Sequence, residues 1–209
     1  MKITNVLKTI FFSSAILLAS CNSTQKVAKV EAMVQKDMKG DQKMMKEDAI
    51  VMVGGAAMYP TKNIIENAVN SKDHTTLVAA VKAADLVETL QGDGPFTVFA
   101  PTNAAFEKLP AGTVETLLKP ENKKKLQSIL TYHVVYGKMS ATDIVSAIKK
   151  GNGKATFKTV SGGTLTAMLS GKNVVIMDEN GGTSTVTIAD VNQSNGVIHV
   201  VDTVVLPKA

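Results

Sequence analysis

The sequence contains no arginine, no tryptophan and a single cysteine, and each shortage excludes a class of function. All 23 basic residues are lysine, so the planar guanidinium fork that grips phosphates and guanine edges is absent. Because aromatic residues make up only 4% of the chain, few side chains could stack on bases. One cysteine cannot form an internal disulfide, a thiolate zinc cage or an iron–sulfur cluster. We therefore expect no nucleic-acid partner and no cofactor held by cysteine.

Short motifs of common enzyme chemistry are also absent. The sequence has no G-x-S-x-G elbow, no G-x-x-x-x-G-K-[ST] loop, no G-x-G-x-x-G and no H-E-x-x-H. The three histidines, His74, His133 and His199, are far apart in the chain. Residues 178–182 superficially suggest a calcium loop, but their spacing departs from the twelve-residue pattern and favours a hairpin turn. We predict a protein that is not an enzyme and uses no metal or other cofactor.

The N-terminal residues are typical of a targeting signal. Lys2 and Lys8 precede an apolar run over residues 10–19, which is too short to span a bilayer as a helix. The motif Leu18-Ala19-Ser20-Cys21 that follows resembles the bacterial lipobox, in which the cysteine is lipidated and becomes the new N-terminus. We expect a signal peptide over residues 1–20 and lipid attachment at Cys21, with two or three acyl chains holding the protein to a membrane.

Residues 21–60 are predicted to form a flexible tether. Residues 26–48 mix lysines with acidic side chains, which is typical of a linker. Val27, Val30, Val34 and Met38 fall at helical spacing, so a helix that docks on a partner or on lipid headgroups is the alternative. The apolar run over residues 50–58 is broken by two glycines and either caps the following domain or passes along it.

The rest of the chain predicts a single α+β domain with a core, since 44% of the whole sequence is hydrophobic. Apolar periodicity and capping residues, with Thr61 and Thr102 as N-caps, predict helices over residues 63–69, 75–90, 103–109, 113–118 and 121–132. Alternating or continuous apolar runs between turn residues predict strands of a largely antiparallel sheet over residues 96–100, 134–136, 155–160, 164–169, 174–177, 185–188 and 197–206.

Three blocks of this domain resemble the fasciclin (FAS1) family. Residues 97–106 (TVFAPTNAAF) are similar to its first signature block, Tyr132-His133 matches its central Tyr-His pair, and residues 195–207 (NGVIHVVDTVVLP) are similar to its closing block. The blocks occur in the family's order. The resemblance implies that residues 61–209 are one fasciclin domain, a wedge-shaped β-sandwich flanked by helices. It also implies a role in cell-surface adhesion or extracellular-matrix contact.

The resemblance and the closing strand supply four candidate binding residues. The Tyr132-His133 pair is linked to adhesion in the family. Asp190 stands in the place of the family's Asp-Ile adhesive motif, but the flanking pattern is missing, so integrin recognition is not carried over. His199 lies on the closing strand, which reads as central and buried. For all four residues a structural role is the alternative.

We therefore predict a non-catalytic, lipid-anchored binding protein of the bacterial cell envelope, acting in adhesion or matrix contact. Its partners would be the membrane, through the N-terminal lipid, and a surface protein or an envelope or matrix polymer. The sequence leaves open whether the anchor lies in a periplasmic leaflet or at the cell surface, and it does not fix the oligomeric state. The alternative is a periplasmic small-ligand-binding or signalling lipoprotein with a cleft between sheet and helices.

Overall fold

The computed structural model describes residues 50–208. The predicted signal peptide, Cys21 and the possible helix at residues 27–38 lie outside the described residues. The helices are α1 (Ile64–Ala68), α2 (Thr75–Ala83), α3 (Val87–Gln91), α4 (Asn103–Glu107), α5 (Thr113–Leu117), α6 (Lys123–Tyr132) and α7 (Ala141–Lys150). The strands are β1 (Val51–Val53), β2 (Ala56–Met58), β3 (Phe96–Pro101), β4 (Val134–Tyr136), β5 (Lys154–Lys158), β6 (Thr164–Ser170), β7 (Asn173–Met177), β8 (Thr183–Gln193) and β9 (Gly196–Val201).

The main sheet has seven strands in the order β4-β3-β9-β8-β7-β6-β5. Its neighbours are antiparallel except for the central pair β3 and β9, which run parallel. The two outer strands come together, because Val135 forms a bridge with Thr159 and the Val160 amide donates to the Val134 carbonyl at 2.8 Å. The sheet thus nearly closes on itself, and the predicted largely antiparallel α+β fold is confirmed.

Strand β8 forms the corner between the two halves of this sheet. Its first residues pair with β7 and its remainder pairs with β9. The register shifts between Val186 and Ile188 and again between Ile188 and Val191. Asp190 lies in the second irregularity with φ of 58°. Bulges of this kind bend a strand and let it pass from one face of a sandwich to the other.

The core is packed on both faces of β3 and β9, whose residues are all buried. Val98 and Ile198 face a cluster formed with α1, α2, α3 and the β1–β2 hairpin. Phe99 and Val201 face a second cluster that includes Tyr132 and the apolar side of α7. The expectation that the closing strand is central and buried is therefore confirmed.

The helix predicted over residues 75–90 is two helices. Helix α2 ends at Ala83 with Ala84 as its C-cap, and Asp85 follows with φ of 54°. The Asp85 amide donates to the Lys82 carbonyl and the Leu86 amide to the Val81 carbonyl, which is the bonding pattern of a Schellman cap. Glycine usually fills the left-handed position of this cap, so the apolar periodicity alone did not indicate a break.

Two further differences concern helix starts. Helix α1 is capped by Asn63 instead of Thr61, because Asn63 and Glu66 form a reciprocal capping box. Helix α7 was not predicted from the sequence at all. Ser140 and Asp143 form its capping box, and Ile144 and Ile148 bury its apolar side.

Residues 51–58 form a hairpin that packs on the domain, which is the capping alternative that the sequence left open for the apolar run within the predicted tether. Gly54 and Gly55 both have positive φ, 57° and 75°, which fits a two-residue type I′ turn. Val53 and Met58 point inward and are 3% exposed. The packed unit therefore begins about ten residues before the predicted boundary at residue 61, because alternate hairpin residues complete the core.

Candidate functional site

The Tyr132 side chain is buried and holds three elements together. Its hydroxyl donates to the Thr164 carbonyl at 2.6 Å and accepts from the Glu179 amide at 3.1 Å. Burial raises the pKa of Tyr132 to about 12, so the phenol stays protonated at physiological pH. The ring links the end of α6 to β6 and to the turn between β7 and β8, and none of it is exposed.

His133 is also buried, and both ring nitrogens are used. Nδ1 donates to the Ile129 carbonyl at 2.8 Å, and Nε2 accepts from the Val205 amide at 3.2 Å. Burial lowers the pKa of His133 to about 4, which keeps the imidazole neutral. The residue ties the C-terminal end of α6 to the segment after β9.

The structure brings Asp190 and His199 together at the bulge of β8. The Asp190 amide donates to Nδ1 of His199 at 3.3 Å, and Nε2 of His199 donates to the Met139 carbonyl at 2.9 Å. The Asp190 carboxylate accepts from the Ala141 amide at 2.7 Å, at the start of α7. Burial lowers the pKa of His199, so this ring is neutral as well. The two residues join the sheet corner to the loop before α7.

The four candidate residues lie in two separate places. Tyr132 and His133 are at the end of α6, and Asp190 and His199 meet at the bulge of β8. Tyr132, His133 and His199 are at most 3% exposed, and only Asp190 is half-buried. A partner could not reach the three rings without rearranging the core. Their geometry corresponds to the structural alternative, and direct contact with a ligand stays a prediction.

The turn over residues 178–182 is a hairpin turn between β7 and β8, as expected from its spacing. The Asp178 carboxylate accepts from three backbone amides, those of Asn180, Gly182 and Leu206. Bonding within the turn thus already occupies this carboxylate. Among residues 50–208, no group of three or more His, Cys, Asp or Glu side chains has a geometry that could hold a metal ion.

A buried amide cluster was missed by the sequence analysis. Asn67 accepts from the Tyr59 amide at 3.0 Å, donates to the Tyr59 carbonyl at 2.8 Å and also donates to the Gln193 side chain. Asn195 accepts from the Ile64 amide at 3.1 Å and donates to the Leu90 carbonyl at 2.8 Å. The only signal in the sequence is an asparagine on the apolar side of a short helix.

A small apolar cavity lies between the sheet and the helices. Its volume is about 50 Å³, and its walls include Met58 of the hairpin, Leu77 and Val81 of α2, and Ile198 of β9. His74 also lines it. Nδ1 of His74 is 2.9 Å from the Ser71 hydroxyl, whereas the buried Nε2 has no hydrogen bond of good geometry. Burial lowers the pKa of His74, and the Ala100 carbonyl and Asp73 partly oppose this shift.

An apolar groove of about 40 Å³ lies beside Tyr136. The Tyr136 ring is 68% exposed and contacts Phe96, with their centroids 5.9 Å apart. Its walls also include Leu86, which precedes α3, Thr89 within α3, and Val160. Tyr136 is the most exposed of the large apolar side chains in the part of the chain that the structure describes.

Residues 72–207 match the fasciclin domain family. The chain belongs to the fasciclin family. "Protein sll1483" of Synechocystis is 50% identical to it over 156 residues, which cover 75% of this chain and 79% of that protein. The FAS1 domain pair of the insect cell adhesion molecule Fasciclin I superposes with a TM-score of 0.62 at 20% identity, and this chain spans 52% of the pair. The structural likeness confirms the fasciclin fold expected from the three sequence blocks.

Two mycobacterial relatives have names that refer to the cell surface or to immune recognition. The "Cell surface glycolipoprotein MPB83" of Mycobacterium bovis is 36% identical over 162 residues, which cover 75% of this chain and 64% of that protein. The "Immunogenic protein MPB70" of the same species is 37% identical over 145 residues, covering 67% and 66%. Neither name describes an enzyme. Among residues 50–208, no helix is long and apolar enough to cross a membrane.

Proposed function

We propose that this fasciclin protein is a non-catalytic binding protein, anchored to the bacterial envelope by lipid at Cys21, that acts in adhesion or matrix contact. The observation that carries the proposal is family membership together with a relative named as a cell surface glycolipoprotein. The lipobox-like motif ending in Cys21 supports the anchor.

The buried polar side chains already form hydrogen bonds within the protein, and this supports a non-catalytic role. General acid–base chemistry needs a group that can exchange a proton with a substrate near the working pH. His133 and His199 are neutral, buried and bonded through both ring nitrogens. Tyr132 uses its hydroxyl to join β6 to the β7–β8 turn.

The exposed Tyr136 and its groove are the contact surface that we expect for a macromolecular partner. Tyrosine supplies a large, rigid contact area and is enriched at the centres of protein interfaces. Tyr136 lies four residues after Tyr132, so it belongs to the same segment that the family associates with adhesion. If the partner contacts Tyr136, the buried Tyr132-His133 pair would act indirectly, by positioning β4.

A surface-attachment assay tests the binding function. The mature chain, made as Cys21→Ser so that it stays in solution, would be coated on a surface, and attached cells of the producing species would be counted. We expect attachment above an uncoated surface, a loss of most of it with Tyr136→Ala, and no loss with the matched exposed variant Leu169→Ala. Equal attachment to coated and uncoated surfaces would contradict the adhesive role.

Mass spectrometry tests the anchor separately. We expect the N-terminal peptide of the mature protein to begin at Cys21 and to carry acyl chains, and the intact protein to fractionate with membranes. A mature N-terminus at another residue, or an unmodified Cys21 thiol, would remove the lipid anchor from the proposal.

The cavity beside His74 favours small-ligand binding as the second candidate function. An apolar cavity can accept an apolar guest, and Nε2, which has no hydrogen bond of good geometry, could bond to one polar atom of that guest. The volume of about 50 Å³ is small, so the hairpin would have to move outward to admit most metabolites. A saturable rise in melting temperature with a fatty acid or another small apolar compound, lost in His74→Leu, would support this function. A flat screen of such compounds would reject it.

A further inference from the structure

The exposed large apolar side chains are concentrated at the start of the described chain. Six such residues are exposed in the described part, and four of them lie between residues 50 and 69. They are Ile50, Met52, Tyr59 and Val69, with exposed fractions of 55%, 59%, 40% and 48%. Single exposed apolar residues are ordinary on protein surfaces, whereas a local concentration needs an explanation.

The hairpin register places three of these residues on one surface. Val51 pairs with Met58 and Met52 pairs with Ala57, so Ile50 lies opposite Tyr59. Side chains alternate along a strand, and the inward set includes the buried Val53 and Met58. Ile50, Met52, Ala57 and Tyr59 therefore share the opposite side, which we call the outer hairpin face.

Several bonds fix this face to the domain. Asn67 bonds to both the amide and the carbonyl of Tyr59, and the Lys72 amide donates to the Gly54 carbonyl at 3.1 Å. The hairpin is thus held at its turn and at its open end. Such a face is a rigid apolar platform, and its residues lie on the side away from the core.

The chemistry at the rim of the face suits a lipid surface. The ammonium of Lys62 lies 5.0 Å from the centroid of the Tyr59 ring. A tyrosine beside a lysine is typical of the membrane interface, where the ring sits at headgroup level and the ammonium reaches the phosphates. The four residues of the outer hairpin face include no acidic side chain that anionic headgroups would repel.

The position of the outer hairpin face in the chain also points to a lipid surface as its partner. Ile50 follows Cys21 by 29 residues, which can span at most about 100 Å in any conformation. The hairpin is thus the part of the described domain that is closest in sequence to the proposed lipid anchor. Once the anchor is inserted, the bilayer is always within reach of this face, so a modest apolar contact becomes effectively intramolecular.

We propose that the outer hairpin face rests on the bilayer surface and orients the domain with β1 and β2 towards the membrane. The proposal rests on the membrane-anchored part of the proposed function. It gives Ile50, Met52 and Tyr59 a common role and assigns to residues 50–59 a function separate from partner binding at Tyr136.

Site-specific fluorescence tests the proposal without depending on acylation. A hexahistidine tag in place of Cys21 would hold the mature chain to vesicles of phosphatidylethanolamine, phosphatidylglycerol and a nickel-chelating lipid. Replacing Cys21 leaves no native thiol, so Met52→Cys and Leu169→Cys each carry a single environment-sensitive dye. We expect a blue shift and several-fold stronger quenching by brominated acyl chains at position 52 than at position 169.

Each other outcome counts against the proposal. Equal responses at the two positions would overturn it. A dye at position 52 that is blue-shifted without vesicles, together with a dimer in light scattering, would mean that a second copy of the chain covers the face. A second comparison places the dye at Ile50→Cys, with or without the substitutions Met52→Asp and Tyr59→Asp, and the two aspartates should reduce quenching by the brominated acyl chains. Failure of Cys21 acylation in cells would overturn the lipid anchor but not the contact of the outer hairpin face. In the vesicle experiment the tag, and not an acyl chain, attaches the protein to the bilayer.

Discussion

The Tyr132 ring packs against the backbone of Gly163 so closely that a Cβ atom added to Gly163 would lie 2.7 Å from Cε2 of the ring. Together with the hydroxyl bonds to Thr164 and Glu179, this contact makes Tyr132 a fixed joint between α6 and the curved sheet. These contacts support the structural alternative for the tyrosine of the Tyr-His pair.

Gly163→Ala should destabilise the domain through this contact. Since neither the ring nor the backbone can move freely, we expect a loss of about 1–3 kcal/mol in the free energy of unfolding. Urea denaturation measures it. Tyr132→Leu removes the ring edge, so the double variant should be less destabilised than the sum of the two single variants. Strict additivity would mean that the two residues do not interact.

Tyr132→Phe isolates the role of the hydroxyl. It leaves the Glu179 amide and the Thr164 carbonyl without their partner, which should cost about 1–3 kcal/mol. Tyr136→Phe is the matched control, because Tyr136 is 68% exposed, and should change stability by less than about 0.5 kcal/mol. Similar effects of the two variants on the denaturation midpoint would contradict the buried joint.

His133 should make the stability depend on pH. Its pKa is about 4 in the folded chain and 6.5 when unperturbed, so the unfolded state binds more protons between these values. The stabilisation is complete above pH 6.5 and is lost as the pH falls, by roughly 3 kcal/mol between pH 7 and pH 4. The pKa values of His74 and His199 are lowered too, so both act in the same direction.

Urea denaturation at several pH values between 4.5 and 7 measures this effect, and His133→Asn provides the control. The asparagine amide can still donate to the Ile129 carbonyl but cannot titrate. We expect the variant to be less stable at pH 7, because Val205 loses its acceptor, and to have a shallower pH dependence. An unchanged slope would mean that His133 is not the group that takes up the proton.

Asp190 should stabilise the sheet corner through the hydrogen bond of its carboxylate and through its tolerance of positive φ. Two substitutions separate these effects. Asp190→Gly keeps the backbone at positive φ and loses the bond to the Ala141 amide, costing about 1–3 kcal/mol. Asp190→Ala should cost about 1 kcal/mol more, because alanine is strained in that conformation. Thermal unfolding of the two variants gives the comparison. An alanine variant as stable as the glycine variant would contradict the strained bulge.

Sequence reasoning predicted the parts of this fold that depend on local pattern. The strand predicted at residues 96–100, the Thr102 cap and the burial of the closing strand follow from apolar runs and capping chemistry, and the structure confirms them. The break at Asp85 was missed because an aspartate occupies a position where glycine is the usual signal.

The roles of the candidate site residues depend on contacts that are distant in the chain. His133 bonds to Val205, and His199 bonds to Met139. No local pattern indicates which carbonyl or amide will meet a ring nitrogen. The sequence could therefore identify the residues as special but could not separate a framework role from a binding role. For the same reason the sequence left open whether the run over residues 50–58 caps the domain, since its inward residues meet helices that follow it in sequence.

Attachment of living cells is the most direct measurement of the proposed function. A strain lacking the gene would be complemented with the wild-type chain or with Cys21→Ser, and cells retained on a surface after washing would be counted. We predict that deletion reduces retention, that the wild type restores it, and that Cys21→Ser yields a folded but unanchored protein that does not. Unchanged retention after deletion, or full restoration by Cys21→Ser, would contradict a lipid-anchored adhesion protein.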